Sequence, residues 1–167
     1  MREVGLLFAV LVLLAGCGGG ASGVVEGLGF AIRMPTGWDV KADDEDEVVA
    51  LEPKESKDDK FRENVSVIVE NVKEGTGLDE YVERRVRDMK RFSESFSLGR
   101  SARADLGGVT ARRLVYSMTF AGVKLKCMAF IAVRGTCGYV VTCAAEPHRF
   151  DQLLPLFKEC VGSFRFK

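Results

Sequence analysis

The stretch LVYSMTFAGVKLKCMAFIAV, residues 114–133, decides the fold of this chain. Apolar side chains alternate with other residues on both sides of Ala121-Gly122, a pair suited to a tight turn between antiparallel strands. Alternation and turn together predict a β-hairpin with a single register. In that register four pairs of residues face one another: Phe120 and Val123, Met118 and Leu125, Tyr116 and Cys127, and Leu114 and Ala129.

Neighbouring turns extend this hairpin into a meander. Gly107-Gly108 predicts a tight turn before it, and Arg134-Gly135-Thr136 fits a three-residue turn after it. The second turn would place on the same sheet face the pairs Val133 and Cys137, Ile131 and Tyr139, and Cys127 and Cys143. The opposite face is apolar in its middle and polar toward one end, as is typical of a partly covered face: Val115, Ser117, Thr119, Lys124, Lys126, Met128, Phe130, Val140 and Thr142.

Two amphipathic helices complete the pattern. Apolar residues recur at three- and four-residue steps over 78–92, after a helix start in which Thr76 and Asp79 form a capping box. A second stripe covers residues 150–164 and is interrupted only by Pro155. Two helices and a two-sided sheet predict an α+β domain, an α/β/α three-layer sandwich around a mainly antiparallel sheet.

Earlier in the chain, alternation predicts strands at residues 29–34, 48–51 and 63–70, and Trp38 is expected in the core. The 24 basic and 24 acidic residues of the 167 cancel, so nucleic acid is not an expected partner. Hydrophobic residues make up 47% of the chain, enough for one folded domain rather than a disordered one.

The N-terminus predicts where the protein works. An apolar run at residues 4–13 follows Arg2 and is too short to span a bilayer comfortably. The next residues, Leu14-Ala15-Gly16-Cys17, resemble the lipobox of bacterial lipoproteins, in which the cysteine thiol receives a diacylglyceryl group. We therefore expect a signal peptide at 1–16, a lipidated Cys17 with a flexible tether to residue 28, and a domain at 29–167. Gly18 is not the aspartate that retains some lipoproteins on the inner membrane, which favours the periplasmic face of the outer membrane.

The other four cysteines are Cys127, Cys137, Cys143 and Cys160. Export to a compartment that permits disulfides leaves three possible pairings. The predicted register opposes Cys127 and Cys143 on neighbouring strands, where a cross-strand bridge is possible although often strained. We expect these two to be close enough to bridge, with four buried free thiols as the alternative.

Few residues suggest chemistry. The single histidine, His148, precedes the last helix and is more typical of an exposed turn than of a general base. The acidic run at residues 43–47 lacks the glycine and terminal glutamate of a calcium loop, and no C-x-x-C pair suggests zinc. We predict no catalytic, cofactor-binding or metal-binding residues.

One group of cations on the sheet could bind a partner. It would form a docking patch for an acidic protein or anionic lipid, with an ordinary solvated rim as the alternative. Its members are Arg112, Arg113, Lys124 and Lys126.

Four segments together resemble the PsbP-like domain, which also occurs in bacterial envelope lipoproteins of the DcrB type. They are GFAIRMPTGW at 29–38, the helix at 78–92, LGGVTA at 106–111 and SFRF at 163–166. The resemblance implies an α/β/α fold, relatives that bind or assist other proteins, and no catalytic residue to transfer.

These observations predict a membrane-anchored, non-catalytic lipoprotein that binds or stabilises another envelope component. An alternative is a carrier or sensor of a small apolar ligand held between sheet and helix. A hydrolase centred on His148 is a third. A sizeable apolar pocket would favour the carrier, an exposed apolar or charged patch the binding module, and polar groups converging on His148 the hydrolase.

Overall fold

The computed structural model describes residues 23–42, 46–57 and 59–167. The predicted signal peptide, the predicted lipidation site at Cys17 and most of the acidic run lie outside the described residues. The elements in chain order are β1 (Val24–Gly27), β2 (Phe30–Arg33), β3 (Asp39–Ala42), β4 (Glu47–Leu51), β5 (Asn64–Asn71), α1 (Leu78–Phe92), β6 (Ser95–Leu106), β7 (Val109–Phe120), β8 (Val123–Arg134), β9 (Cys137–Ala145), α2 (Pro147–Gly162) and β10 (Arg165–Phe166).

Seven strands form the central antiparallel sheet in the order β3-β4-β5-β9-β8-β7-β6. Helix α1 packs on one face, and α2 packs on the other beside a small sheet of order β1-β2-β10. The α+β prediction with a mainly antiparallel sheet is therefore confirmed.

Each face of the sheet has its own hydrophobic core, because successive strand residues point to opposite sides. The core under α1 includes Tyr81, Met89 and Tyr116. The core under α2 is rich in aromatic rings and includes Trp38 and Phe157, which meet edge to face at 6.4 Å between ring centroids. The prediction that Trp38 lies in the core is confirmed.

The register between β7 and β8 is the predicted one. Tyr116 faces Cys127, and Phe120 faces Val123 across the turn. Ala121 and Gly122 have φ values of 49° and 76°, as a two-residue type I′ turn requires.

The predicted register between β8 and β9 is wrong by one residue. The turn contains only Gly135 and Thr136, so that Arg134 faces Cys137, and Gly135 takes a left-handed φ of 61°. Cys127 consequently faces Ala144, and Cys143 faces Met128. Because a slip of one residue moves a side chain to the other face, Cys127 belongs to the core under α1 and Cys143 to the core under α2. The geometric basis for a Cys127–Cys143 bridge is lost.

Smaller differences appear near the ends of elements. Pairing begins at Val24, opposite Arg33, so the folded part starts before the expected boundary at residue 29. Strand β3 was not predicted. Helix α1 has the predicted bounds, but its N-cap is Gly77 and no side chain caps it, so the Thr76 capping box is wrong.

The cysteines of the described chain are free thiols, and most of them are buried. Cys127, Cys143 and Cys160 are buried free thiols, and Cys137 is half-buried. Burial raises the pKa of Cys127 and of Cys160 to about 12, and it also raises the pKa of Cys143. The Cys160 thiol donates to the carbonyl oxygen of Arg33 at 2.8 Å. These thiols act as small apolar side chains with little thiolate near neutral pH.

We expect Gly138→Ala to destabilise the fold by about 1–3 kcal/mol. A Cβ atom at this position would lie 2.6 Å from Tyr81 Cε1, between β9 and α1, where neither element can easily move. Gly162→Ala is the matched control, because a Cβ there meets no atom within 4 Å. Urea unfolding of both variants measures the difference. Equal stability of the two variants would show that the Tyr81 ring does not pack against Gly138.

We also expect iodoacetamide at pH 8 to modify the three buried thiols about a hundredfold more slowly in the folded chain than in urea, because the thiolate is scarce and enclosed. The half-buried Cys137 serves as the internal control and should react faster. Peptide mass spectrometry without reduction measures both. A Cys127–Cys143 disulfide peptide, or rapid modification of either thiol in the folded chain, would contradict the register.

Candidate functional site

A groove with a volume of about 560 Å³ opens at the end of the central sheet where the β6–β7 turn lies. Four parts of the chain form it: that turn, the middle of β8, the last turn of α2 and the start of β10. Its lining residues are Asp105, Gly107, Gly108, Phe130, Lys158, Val161, Gly162 and Arg165.

The floor of the groove is apolar. Phe130 lies on the α2 side of β8, one step along the strand from Ala129, which points into the core under α1. It is only half-buried, because α2 does not cover all of this face. Val161, on the last turn of α2, is buried beside it. The groove therefore offers a ring and an aliphatic side chain to a ligand.

The rim of the groove is charged. Lys158 and Arg165 contribute two exposed cations, and Asp105 contributes one carboxylate. The Asp105 Oδ1 atom accepts a hydrogen bond from the Gly108 N–H at 2.9 Å, which uses part of the carboxylate to hold the β6–β7 turn. The cations exceed the carboxylates, so the rim favours an anionic group.

Two contacts fix the shape of the groove. The Arg165 guanidinium donates from Nη1 to the carbonyl oxygens of Gly162 at 2.9 Å and Phe164 at 2.6 Å, which ties β10 to the end of α2. Gly107 has a φ of 57°, and a Cβ there would lie 3.2 Å from both Phe164 and Phe166. The turn can approach the aromatic rings this closely only because residue 107 has no side chain.

The predicted basic patch is not formed. Arg112 points to the α1 side of the sheet and pairs with Asp79. Lys126 pairs with Asp151 at 2.9 Å, and Lys124 lies near the β7–β8 turn at the opposite end from the groove. The prediction failed for two reasons. Alternation sends Arg112 and Arg113 to opposite faces of the sheet, and Lys124 and Lys126 lie several residues along β8 from the positions that face the arginines.

Arg113 alone lies beside the groove. It faces Phe130 across the β7–β8 ladder and shares its side of the sheet. Its Nε atom is enclosed and has no hydrogen-bond partner among the described residues. A buried guanidinium donor without a partner favours an acceptor in its neighbourhood.

His148 is exposed in the first turn of α2. Its neighbours serve structure: Arg149 donates from Nη2 to both carboxylate oxygens of Glu52, at 2.9 and 3.1 Å. Glu63 is buried nearby, and its Oε1 atom accepts from the Glu146 N–H at 3.4 Å. Burial raises the pKa of Glu63. These groups hold the start of α2 against the β4–β5 connection. Among the described residues, none forms a hydrogen bond or ion pair with His148 that could support acid–base chemistry.

Two further observations concern metal binding and membrane crossing. Within residues 23–42, 46–57 and 59–167, no three histidine, cysteine or acidic side chains are grouped to hold a metal ion. Neither helix of the described chain is long and apolar enough to cross a membrane.

Sequence reasoning missed the groove. Its four contributing segments are separated by up to 60 positions along the chain, from Asp105 to Arg165, and none carries a local motif. Phe130 was the one available signal, because it is an aromatic residue on the sheet face that was expected to be only partly covered.

This fold occurs in several solved structures, among them three from bacteria. Cyanobacterial PsbP (CyanoP) from Synechocystis sp. PCC 6803 superimposes with a TM-score of 0.65 at 20% identity, over 92% of this chain and 99% of that one. LpqN of Mycobacterium tuberculosis gives 0.60 at 11% identity, over 83% of each chain. PA94 of Pseudomonas aeruginosa gives 0.58 at 15% identity, over 77% of this chain and 85% of that one.

A search of the curated proteins found no significant match. The sequence profile of the PsbP family, in contrast, matches residues 25–166, which is nearly all of the described chain. The match begins within β1 and ends at the last residue of β10, so it includes the segments that build the groove. The chain therefore belongs to the PsbP family.

Proposed function

We propose that the protein is a lipid-anchored, non-catalytic module of the bacterial cell envelope that binds a segment of a partner protein in the groove. The observation that carries this proposal is the form of the groove: an apolar floor open to solvent, with Lys158 and Arg165 at the rim. Such a surface recognises a chain that carries an apolar side chain next to an acidic one.

Charge and shape favour a protein segment over an apolar small molecule. The groove is open and its rim is charged, whereas a carrier of apolar ligands needs an enclosed apolar cavity. The volume of about 560 Å³ does fall within the range of small-molecule sites. A carrier or sensor of a small ligand is therefore the second candidate, and it would bind an amphiphile with an acidic group.

Two observations support an envelope location. Leu14-Ala15-Gly16-Cys17 resembles a lipobox. LpqN, which shares the fold, is described as involved in cell envelope biogenesis of Mycobacterium tuberculosis. Together they favour attachment through Cys17, and Gly18 favours the periplasmic face of the outer membrane where two membranes are present.

A photo-crosslinking side chain at Lys158 tests the groove in intact membranes. We expect it to yield one main cross-linked protein, because Lys158 lies at the rim where a partner segment would pass. Adding Phe130→Ala should lower the yield roughly fivefold, the effect of losing ~1 kcal/mol of binding. Gel electrophoresis followed by mass spectrometry measures yield and identity.

Lys54 provides the matched control for this experiment, because it is exposed in the β4–β5 connection at the other end of α2. The same product from both positions, or a yield that Phe130→Ala leaves unchanged, would contradict the groove. The carrier would be favoured instead if the cross-linked product contained no partner protein and disappeared when acidic lipids or fatty acids were added.

Cys17→Ser should remove the acyl chains and shift the protein out of the outer-membrane fraction, because several acyl chains hold a protein far more firmly than one. Cys137→Ser is the control, since Cys137 is half-buried in the domain and should leave attachment unchanged. Palmitate labelling and membrane fractionation measure the result. Unchanged palmitate labelling and unchanged fractionation of the Cys17→Ser variant would contradict lipid attachment at Cys17.

A further inference from the structure

The small sheet has an outer face that turns away from the core. Val25 and Phe30 point inward and pack with the core under α2. The register places Val24 beside Arg33, and places both Glu26 and Arg165 beside Ala31, on the other side. These residues therefore share one solvent-facing surface.

This face combines apolar and basic groups. Val24 is 58% exposed, and Leu28 in the β1–β2 turn is 43% exposed. Two exposed cations, Arg33 and Lys167, lie beside them. Exposed aliphatic side chains next to basic ones are the pattern by which proteins rest on a lipid surface.

The charge of this surface is positive. Its acid, Glu26, is held by the Lys167 ammonium group at 2.6 Å. Arg134 joins the basic group at the edge, because its Nη1 atom donates to the carbonyl oxygen of Lys167 at 2.6 Å. Arg33, Arg134, Arg165 and Lys167 thus outnumber Glu26, and an anionic surface is the complementary partner.

The chain itself limits how far this face can lie from the membrane. Strand β1 begins at Val24, and six residues separate it from Cys17. Even fully extended, that length spans only about 25 Å. If Cys17 is lipidated, β1 is the part of the domain closest in sequence to the bilayer, and its exposed side chains lie within reach of the headgroups.

We propose that the outer face of the small sheet is a membrane-docking surface for anionic lipid, with Val24 and Leu28 at the headgroup boundary and Arg33 and Lys167 on the phosphates. The proposal rests on the proposed lipid anchor for its orientation. Docking would fix the domain with the groove near the membrane, because Arg165 belongs to both the outer face and the groove rim.

Vesicle sedimentation of residues 17–167 carrying Cys17→Ser tests the surface without the anchor, because this chain lacks both the acyl chains and the apolar run at residues 4–13. Vesicles of phosphatidylcholine with about one third phosphatidylglycerol should bind the chain more tightly than vesicles of phosphatidylcholine alone. Arg33→Gln with Lys167→Gln should lower the binding to anionic vesicles roughly thirtyfold and leave the binding to neutral vesicles unchanged.

Lys54→Gln with Lys124→Gln is the matched control, because both lysines are exposed at the opposite end of the sheet. It removes the same charge and should lower anionic binding far less. Equal loss in both double variants, or equal binding of the chain to neutral and anionic vesicles, would overturn the docking surface. Palmitate labelling of the chain with Arg33→Gln and Lys167→Gln reports on the anchor separately, so either proposal can fail without the other.

Discussion

The pairing between β8 and β9 is the constraint on which the rest of the structure depends. Both strands lie inside the seven-stranded sheet, and both faces of that sheet are buried under other elements. Each residue of β9 therefore has only one acceptable side. With Arg134 opposite Cys137, Tyr139 points toward α2 and Val140 toward α1. A slip of one residue would exchange their environments and place the tyrosine ring under the wrong helix.

This pairing also positions what lies on each face. Gly138 points toward α1 and leaves room for the Tyr81 ring, so the helix can lie close to the sheet. On the other face Tyr139 meets the rings of Phe166 at 4.9 Å and Phe164 at 6.4 Å. These aromatic contacts hold β10 and the small sheet in place. The geometry of the groove and of the proposed docking face therefore depends on the pairing of β8 with β9.

The end of the sheet that carries the groove also brings together the two ends of the described chain. The Lys167 N–H donates to the Gly29 carbonyl oxygen at 3.0 Å, and β10 pairs with β2. A domain attached through a segment before β1 would therefore present its groove next to the point of attachment. In our proposal this arrangement restricts the search for a partner segment to the region near the membrane surface, which raises the effective concentration of membrane-bound partners.

The sequence by itself determined the elements that depend on short-range periodicity and on local turns. The apolar stripe at three- and four-residue spacing defined α1 from Leu78 to Phe92, and Ala121-Gly122 defined the register of β7 and β8. The resemblance to the PsbP-like domain agrees with the family match over residues 25–166. The helix and hairpin predictions hold because each depends on residues that are close together in the chain.

Only the tertiary structure decided the register of β8 and β9 and the location of the groove. A turn at Gly135 is compatible with a loop of two or three residues, and the two choices bury different faces of β9. The groove combines Asp105, Phe130, Lys158 and Arg165 from four separate elements. Its existence depends on where α2 ends over the sheet, which is set by packing between distant residues and leaves no periodic pattern in the sequence.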